Sequence, residues 1–407
     1  MAIAARPHTP ITRPSREPAP ALWVVARRFG AVSEVWMRRQ VNAMSALDPR
    51  VVCWERHPGE SEPVRCPVHV LGGSGRDDPG AARWLDRLGG LPTRNFAGAP
   101  RAEREALLNL ARRERPDAML VHFGHVALRV LPVAQTLGVP LVVHFHGLDL
   151  SQSLRNRWYR WSLWANLRRF DAAVCVGSHQ RRLLLEHGMP ADRVHLIPCG
   201  VPTSEFLPTP REPGDGPVRF ITVGRLVEWK GPHRTIEAFA NAVERGMDAT
   251  LDLVGDGPML EELREITRRL RVAQRVVFHR DQPPRAVREM LRASDVFLLH
   301  SLNAQGASEG FGVAIAEAAA SALPVIATRC GGIEDQVIHG RTGLLVDQHD
   351  TRAMSDAMLA LARDPDLRRA LGDAGRARTV EHFDATNQVR ALEGVLLNAV
   401  AARRGVA

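Results

Sequence analysis

Segments typical of buried strands alternate with segments typical of helices along almost the whole chain, and this alternation limits the folds open to it. Runs such as LWVVAR (22–27), DAMLVHFG (117–124) and PLVVHFHG (140–147) are largely apolar over their whole length. Such runs are typical of parallel strands buried on both faces. Amphipathic stretches with a helical period separate them. The pattern predicts an α/β fold in which helices cover parallel sheets.

A proline-rich segment divides this pattern into two halves. Residues 202–217 contain five prolines and follow neither a helical nor a strand period, as expected of a linker. Since 407 residues exceed one ordinary core, we predict domains over 21–201 and 218–385, with 386–407 forming a helix that packs back on the first domain. Ligands of open parallel sheets bind beyond the carboxyl ends of the strands. The two doubly wound domains should therefore face each other across a cleft.

Charge and composition restrict the partners and the compartment. Lys+Arg 54 against Asp+Glu 45 gives a net charge of +9, which favours anionic partners: phosphorylated substrates, nucleic acid or an acidic bilayer. Five cysteines without a C-x-x-C pair argue against a structural zinc site and against a disulfide framework. Residues 1–20 are proline-rich and lack the apolar region of a signal peptide, so we predict a disordered segment. We expect a cytoplasmic protein.

A glycine-containing loop that leads into a helix is the most informative motif. The loop is Glu309-Gly310-Phe311-Gly312, and the helix begins near Val313. The glycines let the backbone approach a ligand, and the unpaired N–H groups of a helix start bind anions. Glu309 at the helix start and Glu317 two turns later offer carboxylates to the hydroxyl groups of a sugar and a ribose. Taken alone, the two glutamates would be read as a capping residue and a residue on a solvated helix face.

Two cations lie at the predicted carboxyl end of the first strand of the second domain. Strand RFITVG ends at Gly224, Arg225 follows it, and Lys230 lies five residues further on. A planar guanidinium and a compact ammonium are complementary ligands for a diphosphate. Lys230 is also the one lysine of the chain, since every other basic residue is arginine. We therefore predict that Arg225 and Lys230 bind phosphate.

These motifs together resemble glycosyltransferase family 4. The resemblance rests on GRL with Lys230-Gly231, on the GDGP turn at 255–258, and on the Glu309-to-Glu317 motif followed by PVIAT, in this order. It implies retaining enzymes of the GT-B fold, with two Rossmann-like domains facing each other. It also implies that Glu309 contacts the donor sugar, that Glu317 contacts the ribose, and that Gly224, Arg225, Lys230 and residues 310–313 complete the donor site.

The first half resembles members of that family that build exopolysaccharides. The similar segments are Phe29 with Ser33-Glu34 and the loop HFHGLD at 144–149. His146 follows a strand and should face the cleft, where a neutral imidazole contacts the reacting sugar or the acceptor. Asp149 is predicted to orient His146, and Ser33, Glu34 and Asp149 are assigned to the acceptor side. The alternative for His146 is a loop histidine satisfied by the backbone. His144 should point to the opposite face and lie in the core.

A helix predicted over 152–170 combines aromatic and basic residues, among them Trp158, Trp161, Arg157 and Arg160. This mixture suits an anionic membrane surface, where indoles lie at headgroup level. The alternative is that the tryptophans pack on the sheet and the arginines are solvated. Nucleic-acid binding is not expected, because no nucleic-acid fold motif accompanies the charge.

The sequence thus predicts a retaining hexosyltransferase that uses a UDP- or GDP-sugar and a glycan or lipid-linked acceptor, acting in the cytoplasm or on the inner face of the plasma membrane. Neither a cofactor nor a metal is expected, because side chains and a helix terminus supply positive charge. An NAD-dependent oxidoreductase shares the architecture but requires G-x-G-x-x-G after a strand, which both domains lack. A basic membrane- or nucleic-acid-binding adaptor explains the charge but leaves the ordered loop motifs unexplained.

Overall fold

The computed structural model describes residues 18–30, 35–57, 63–72, 95, 97–209 and 216–405. Within these residues the chain forms two sheets in which every strand pair is parallel. The α/β fold with two doubly wound halves, predicted from the alternation, is confirmed. Residues 1–17 and 210–215, which include parts of the predicted disordered segment and linker, lie outside the described residues.

The first sheet has seven strands in the order β3-β2-β1-β4-β5-β6-β7. Its strands are β1 Ala21–Phe29, β2 Asp48–Arg56, β3 Val68–Val70, β4 Ala118–His122, β5 Leu141–Phe145, β6 Ala172–Cys175 and β7 Val194–Leu196. The helices of this half are α1 Val35–Ala43, α2 Arg101–Arg113, α3 Gly124–Leu137, α4 Arg157–Asn166 and α5 Ser178–Glu186. All residues of β4 and β5 are buried, as expected of central strands with helices on both faces.

The second sheet has six strands in the order β10-β9-β8-β11-β12-β13. Its strands are β8 Val218–Val223, β9 Ala249–Val254, β10 Val276–His279, β11 Val296–Leu299, β12 Val325–Thr328 and β13 Leu344–Val346. The helices of this half are α6 Pro232–Glu244, α7 Leu260–Arg269, α8 Pro284–Ala293, α9 Val313–Ala320, α10 Ile333–Gln336, α11 Thr351–Arg363 and α12 Pro365–Phe383. In both sheets the order reverses beside the first strand, which is the place where such folds open a binding crevice.

Two predicted elements are shorter than expected. The helix predicted over 152–170 is a regular α-helix over α4 alone, with short 3-10 turns at Gln152–Arg155 and Leu167–Arg169. Asn156 ends the first turn and caps α4, because its side chain accepts hydrogen bonds from the first backbone N–H groups of the helix. The strand predicted over 194–201 ends at Leu196, since Pro198 follows and lacks a ladder donor.

The last helix, α13 (Ala385–Arg404), leaves the second half and packs on the first sheet. Leu392, Leu396 and Val400 lie on one face of it and are buried in the same cluster as Leu22 and Val24 of β1. Their spacing of four residues gives a continuous apolar stripe along the helix. The C-terminal segment is therefore part of the core of the N-terminal half.

The chain passes between the halves twice, and the two passages lie side by side. Val201 N donates to Phe383 O at 2.9 Å, and Ala385 N donates to Val201 O at the same distance of 2.9 Å. A Cβ at Gly200 would lie 2.5 Å from the Cα of Ala385, so only glycine allows this approach. These backbone contacts fix the point about which the two halves meet.

We predict that Glu393→Ala destabilises the protein by about 1–3 kcal/mol, because two partly buried backbone N–H groups lose their acceptor. Glu393 is 4% exposed, and its Oε1 accepts from the backbone N–H groups of Ser45 at 2.8 Å and Ala46 at 2.6 Å. Urea unfolding of the variant measures the loss. Glu393→Gln keeps an acceptor oxygen and should lose less; equal stability of wild type and Glu393→Ala would contradict the role.

Candidate functional site

The loops at the carboxyl ends of the two sheets meet at glycines. A Cβ at Gly147, in the loop after β5, would lie 2.9 Å from the Cα of Gly310, and a Cβ at Gly177 would lie 2.8 Å from the carbonyl oxygen of Gly310. A Cβ at Gly310 would in turn overlap the carbonyl oxygen of His146. Backbone therefore packs on backbone across the boundary, and this contact holds the predicted donor loop against the predicted histidine loop.

Lys230 and Glu309 form an ion pair on the second domain. Lys230 Nζ lies 2.5 Å from Glu309 Oε2, and Ser301 Oγ donates to the same oxygen at 3.2 Å. The side chains of Lys230 and Glu309 are 17% and 7% exposed. A short 3-10 turn, Glu228–Lys230, positions the lysine, and Gly231 adopts φ 61° against the carbonyl oxygen of His300. Both residues were predicted from sequence, and the structure brings them together.

Trp229 lies close to both predicted phosphate ligands. Lys230 Nζ lies 4.6 Å from the centre of the Trp229 ring, and the Arg225 guanidinium lies 5.6 Å from it. Both separations allow cation–π attraction. Arg225 is exposed, and a Cβ at Gly224 would find no atom of the described residues within 4 Å, so the end of β8 is open for a ligand. Trp229 was not identified from sequence.

The loop 309–312 offers backbone groups, whereas its aromatic side chain faces inward. Gly312 has φ 89°, a conformation that favours glycine, and α9 starts at Val313. The Phe311 ring is 3% exposed and packs edge-on against Phe383 at 5.3 Å. The assignment of Phe311 to the donor site is therefore corrected: its side chain belongs to the core, and its carbonyl oxygen accepts a buried hydrogen bond from Gln336 Nε2.

Glu317, predicted to contact a ribose, is held by a residue of the other domain. Arg39 Nη1, on α1, donates to Glu317 Oε1 at 2.9 Å, and each side chain is 14% exposed. The carboxylate lies on the cleft side of α9, as the spacing from Glu309 predicts. Arg39 was missed, because no motif of the sequence distinguishes it from the other arginines on helices.

His146 belongs to a cluster of three histidines. His146 Nε2 lies 3.0 Å from His122 Nδ1, and the His144 ring centre lies 4.1 Å from that of His146. The prediction that His144 points away from His146 is wrong, because residues two positions apart along an extended strand project from the same face. The Trp36 ring lies against His146, with ring centres 4.0 Å apart.

Burial keeps these imidazoles neutral. Desolvation lowers the pKa of His144 to about 3. It also holds the pKa of His122 and of His146 well below the ordinary value, and the neighbouring histidines lower both further. His122 was missed from sequence, although its position at the end of the strand DAMLVH, beside the His144 strand, is a signal that pairing of the two strands would have revealed.

Asp149 holds the loop backbone and does not contact the His146 ring. Its carboxylate accepts from the N–H groups of His146 at 3.1 Å, Gly147 at 3.0 Å and Gly124 at 3.1 Å. Burial raises its pKa to about 6 although these hydrogen bonds oppose the shift. The prediction that it orients the imidazole directly, or touches the acceptor, is corrected: at 1% exposure the carboxylate is satisfied by backbone. Ser33 and Glu34 lie outside the described residues.

The aromatic and basic residues of α4 are divided between interior and surface. Trp161 is 48% exposed, and Trp158 is half-buried with the Arg157 guanidinium 4.9 Å from its ring centre. Arg160 is exposed. Trp164 instead stacks on His187 at 3.9 Å. Among the described residues no helix has the length and apolar character needed to span a membrane.

Comparison with known proteins identifies relatives of both halves. Residues 63–205 match the model of Glycosyltransferase Family 4, and residues 205–378 match that of Glycosyl transferases group 1. A protein of Escherichia coli named as the colanic acid biosynthesis glycosyltransferase WcaL is 30% identical over 61% of this chain and 62% of its own length. A GDP-mannose-dependent phosphatidylinositol monomannoside mannosyltransferase of Mycolicibacterium smegmatis is 34% identical over 52% of this chain and 58% of its own. These alignments span about three fifths of the length of each relative.

Solved structures resemble nearly the whole chain. Sucrose-phosphate synthase from Thermosynechococcus elongatus superposes with a TM-score of 0.77 at 20% identity, covering 94% of this chain and 100% of that structure. Anabaena HepE in complex with UDP-glucose gives 0.75 at 19% identity, with coverage of 93% and 100%. At this identity the structures show the fold alone, and the fold predicted from the motifs is confirmed. Matches to two glycosyltransferase models, which together extend from residue 63 to residue 378, show that this chain belongs to the family 4, or group 1, glycosyltransferases of GT-B fold.

Proposed function

We propose that this protein is a retaining glycosyltransferase that moves a hexosyl unit from a nucleoside-diphosphate sugar to a glycan or lipid-linked acceptor in the assembly of a surface polysaccharide. The observation that carries the proposal is the Lys230–Glu309 pair at the carboxyl ends of β8 and β11, packed against the His146 loop of the other domain. A cation for a phosphate and a carboxylate for sugar hydroxyls are thereby placed side by side. The relatives named above support the choice of reaction class.

The donor diphosphate is proposed to lie over Trp229, between Arg225 and Lys230. Departure of the nucleoside diphosphate leaves negative charge on its terminal phosphate, and two cations with the N–H groups at the start of α9 stabilise that charge. Lys230 holds Glu309 before the donor arrives. In the complex its ammonium is shared between that carboxylate and the phosphate, so no buried charge loses its partner. We propose that this set of charges acts without a metal.

Glu309 and Glu317 are proposed to bind the two hydroxyl-rich parts of the donor. Glu309 accepts hydrogen bonds from the transferred sugar. Glu317 accepts hydrogen bonds from the ribose hydroxyls. For this, the Arg39 guanidinium must share the Glu317 carboxylate with the ribose or release it. Among the relatives, one is named as GDP-mannose-dependent and the HepE structure contains UDP-glucose. We propose a donor of the UDP or GDP type on this basis.

His146 is proposed to contact the transferred sugar from the N-terminal domain. Because burial keeps its imidazole neutral, the ring hydrogen-bonds a sugar hydroxyl without placing a positive charge beside the developing oxocarbenium ion. In the retaining reaction the acceptor oxygen bonds to the anomeric carbon on the face that the diphosphate leaves, and the acceptor proton passes to a diphosphate oxygen. Asp149 serves as a positioning residue through the loop backbone. Ser33 and Glu34 remain proposed for the acceptor side.

The exposed part of α4 is proposed to bring the enzyme to an anionic membrane surface. Trp161 with Arg157 and Arg160 presents an indole and two cations to solvent. Indoles at headgroup level and arginines on acidic lipid favour peripheral attachment. A lipid-linked acceptor would be reached at that surface, on the cytoplasmic side where nucleotide sugars are supplied.

We predict that Lys230→Ala and Arg225→Ala each lower kcat/KM by about 100-fold, the scale expected for loss of one group that stabilises transition-state charge. Steady-state transfer from UDP- and GDP-sugars measures the effect. Arg369→Ala, an exposed arginine on α12, is the matched control and should retain wild-type turnover. Activity of both cleft variants within a factor of two of wild type would exclude the phosphate role.

We predict that His146→Ala lowers kcat by about 100-fold and leaves the donor Kd nearly unchanged, because the second domain holds the donor. Turnover at saturating substrates and calorimetric donor binding separate the two effects. His187→Ala, which changes an exposed histidine on the N-terminal domain, is the control. A variant with full kcat would remove His146 from the reaction.

We predict that the protein co-sediments with anionic vesicles and that Trp161→Ala or Arg160→Gln weakens binding. Added salt should release the protein, since exposed charges are screened over ~8 Å at physiological ionic strength. Arg369→Gln again serves as the control. Equal binding to neutral and anionic vesicles would contradict the attachment.

A further inference from the structure

The three histidines lie together because two neighbouring strands place them there. His122 ends β4, and it pairs in register with His144 of β5. His146 follows two residues later, and its ring lies beside those of His122 and His144. One ligand nitrogen from each ring lies within 4.8 Å of the others, and the three form the one such group among the described residues.

Most nitrogens of the cluster have no hydrogen-bond partner. Those without one are His122 Nε2, both ring nitrogens of His144, and His146 Nδ1. His122 and His144 are 0% and 1% exposed. Buried polar groups are nearly always paired, and leaving one unpaired is costly. An unpaired nitrogen on each of three adjacent rings indicates a site whose imidazoles can each give a lone pair to a bound ion.

The spacing suits a small tetrahedral ion. With bonds of about 2.0–2.1 Å to histidine nitrogen, tetrahedral Zn²⁺ places its ligand atoms about 3.3 Å apart. His122 Nδ1 and His146 Nε2 are 3.0 Å apart and share a hydrogen bond, which an ion bound between them would replace. One nitrogen from each of the three rings lies within 4.8 Å of the others. Small rotations of the rings therefore suffice to place three nitrogens around one ion.

We propose that His122, His144 and His146 bind one divalent transition-metal ion, with Zn²⁺ as the best match to the ligands. An all-imidazole set favours Zn²⁺, Co²⁺, Ni²⁺ or Cu²⁺ and disfavours Mg²⁺ and Ca²⁺, which prefer oxygen. The adjacent carboxylate of Asp149 is held by three backbone N–H groups and is not free to join. The fourth position is left to a water molecule; His144 also lines a cavity together with Trp36, Gln40 and Cys199.

The consequence for activity rests on the proposed function. A metal ion takes a lone pair of His146 and fixes its ring, so the imidazole no longer adapts to the sugar. The ion should therefore inhibit transfer, and removal of metal should not. Metal binding itself is independent of any assumption about the reaction.

Titration of the full chain with Co²⁺, after treatment with a chelator and its removal, tests the site directly. Tetrahedral Co²⁺ with nitrogen ligands gives an intense visible absorption, which should saturate at one ion per chain and disappear when Zn²⁺ displaces it. His144→Ala should weaken binding by roughly 100-fold or more, at the upper end of the cost of losing a supporting group around a metal. His187→Ala should bind as wild type does.

The outcomes distinguish failure of the proposed metal site from failure of the proposed transferase function. An absent Co²⁺ band, or equal affinity of His144→Ala and wild type, overturns the metal site whatever the transferase assay gives. If His144→Ala does not fold by circular dichroism, His122→Asn replaces it and carries the same expectation. Inhibition by Zn²⁺ that is lost in the folded variant supports the link to His146. Loss of activity on chelation, restored by Zn²⁺, would instead contradict the inhibitory consequence and the metal-free mechanism.

Discussion

The buried ion pair between Lys230 and Glu309 is the interaction on which the site depends. Glu309 is 6% exposed, and a carboxylate so placed is costly without a cation. The lysine comes from the loop after β8 and the glutamate from the loop after β11, and these two strands are neighbours in the sheet. The pair therefore ties together the two loops that carry the donor ligands, and it leaves the ammonium at the cleft surface.

Close backbone contact then sets the relation between this pair and the other domain. Gly310 directly follows Glu309 and packs on Gly147 and Gly177 with no room for side chains. The His146 loop is in turn held rigid by Asp149, whose carboxylate satisfies three N–H groups. The charged Lys230–Glu309 pair on one domain is thus held next to the neutral His146 loop on the other. The backbone contact that joins them leaves room only for glycine.

The sequence predicted the fold and the donor loops because both leave local patterns. Apolar runs mark central strands, and Gly312 before α9 marks a positive-φ helix start. The sequence did not reveal Arg39 on Glu317, Trp229 beside the cations, or His122 beside His146, since each depends on which strands and helices become neighbours. The opposite facing of His144 and His146 was a wrong prediction, because strand alternation places residues two positions apart on the same face. Cysteine spacing argues against a structural zinc site, whereas the three histidines come together through the pairing of β4 with β5 and leave no such spacing in the sequence.

The choice of lysine at position 230 follows from the two partners it must serve. A guanidinium beside Glu309 would bind it in a fixed, two-pronged geometry and remain there. The ammonium is a compact charge with three donors on a flexible stem. Ser301 also donates to the same Glu309 oxygen at 3.2 Å, so that oxygen keeps a donor when the ammonium turns toward a phosphate. A chain that otherwise uses arginine for every basic residue thus places its lysine where a cation has to be shared.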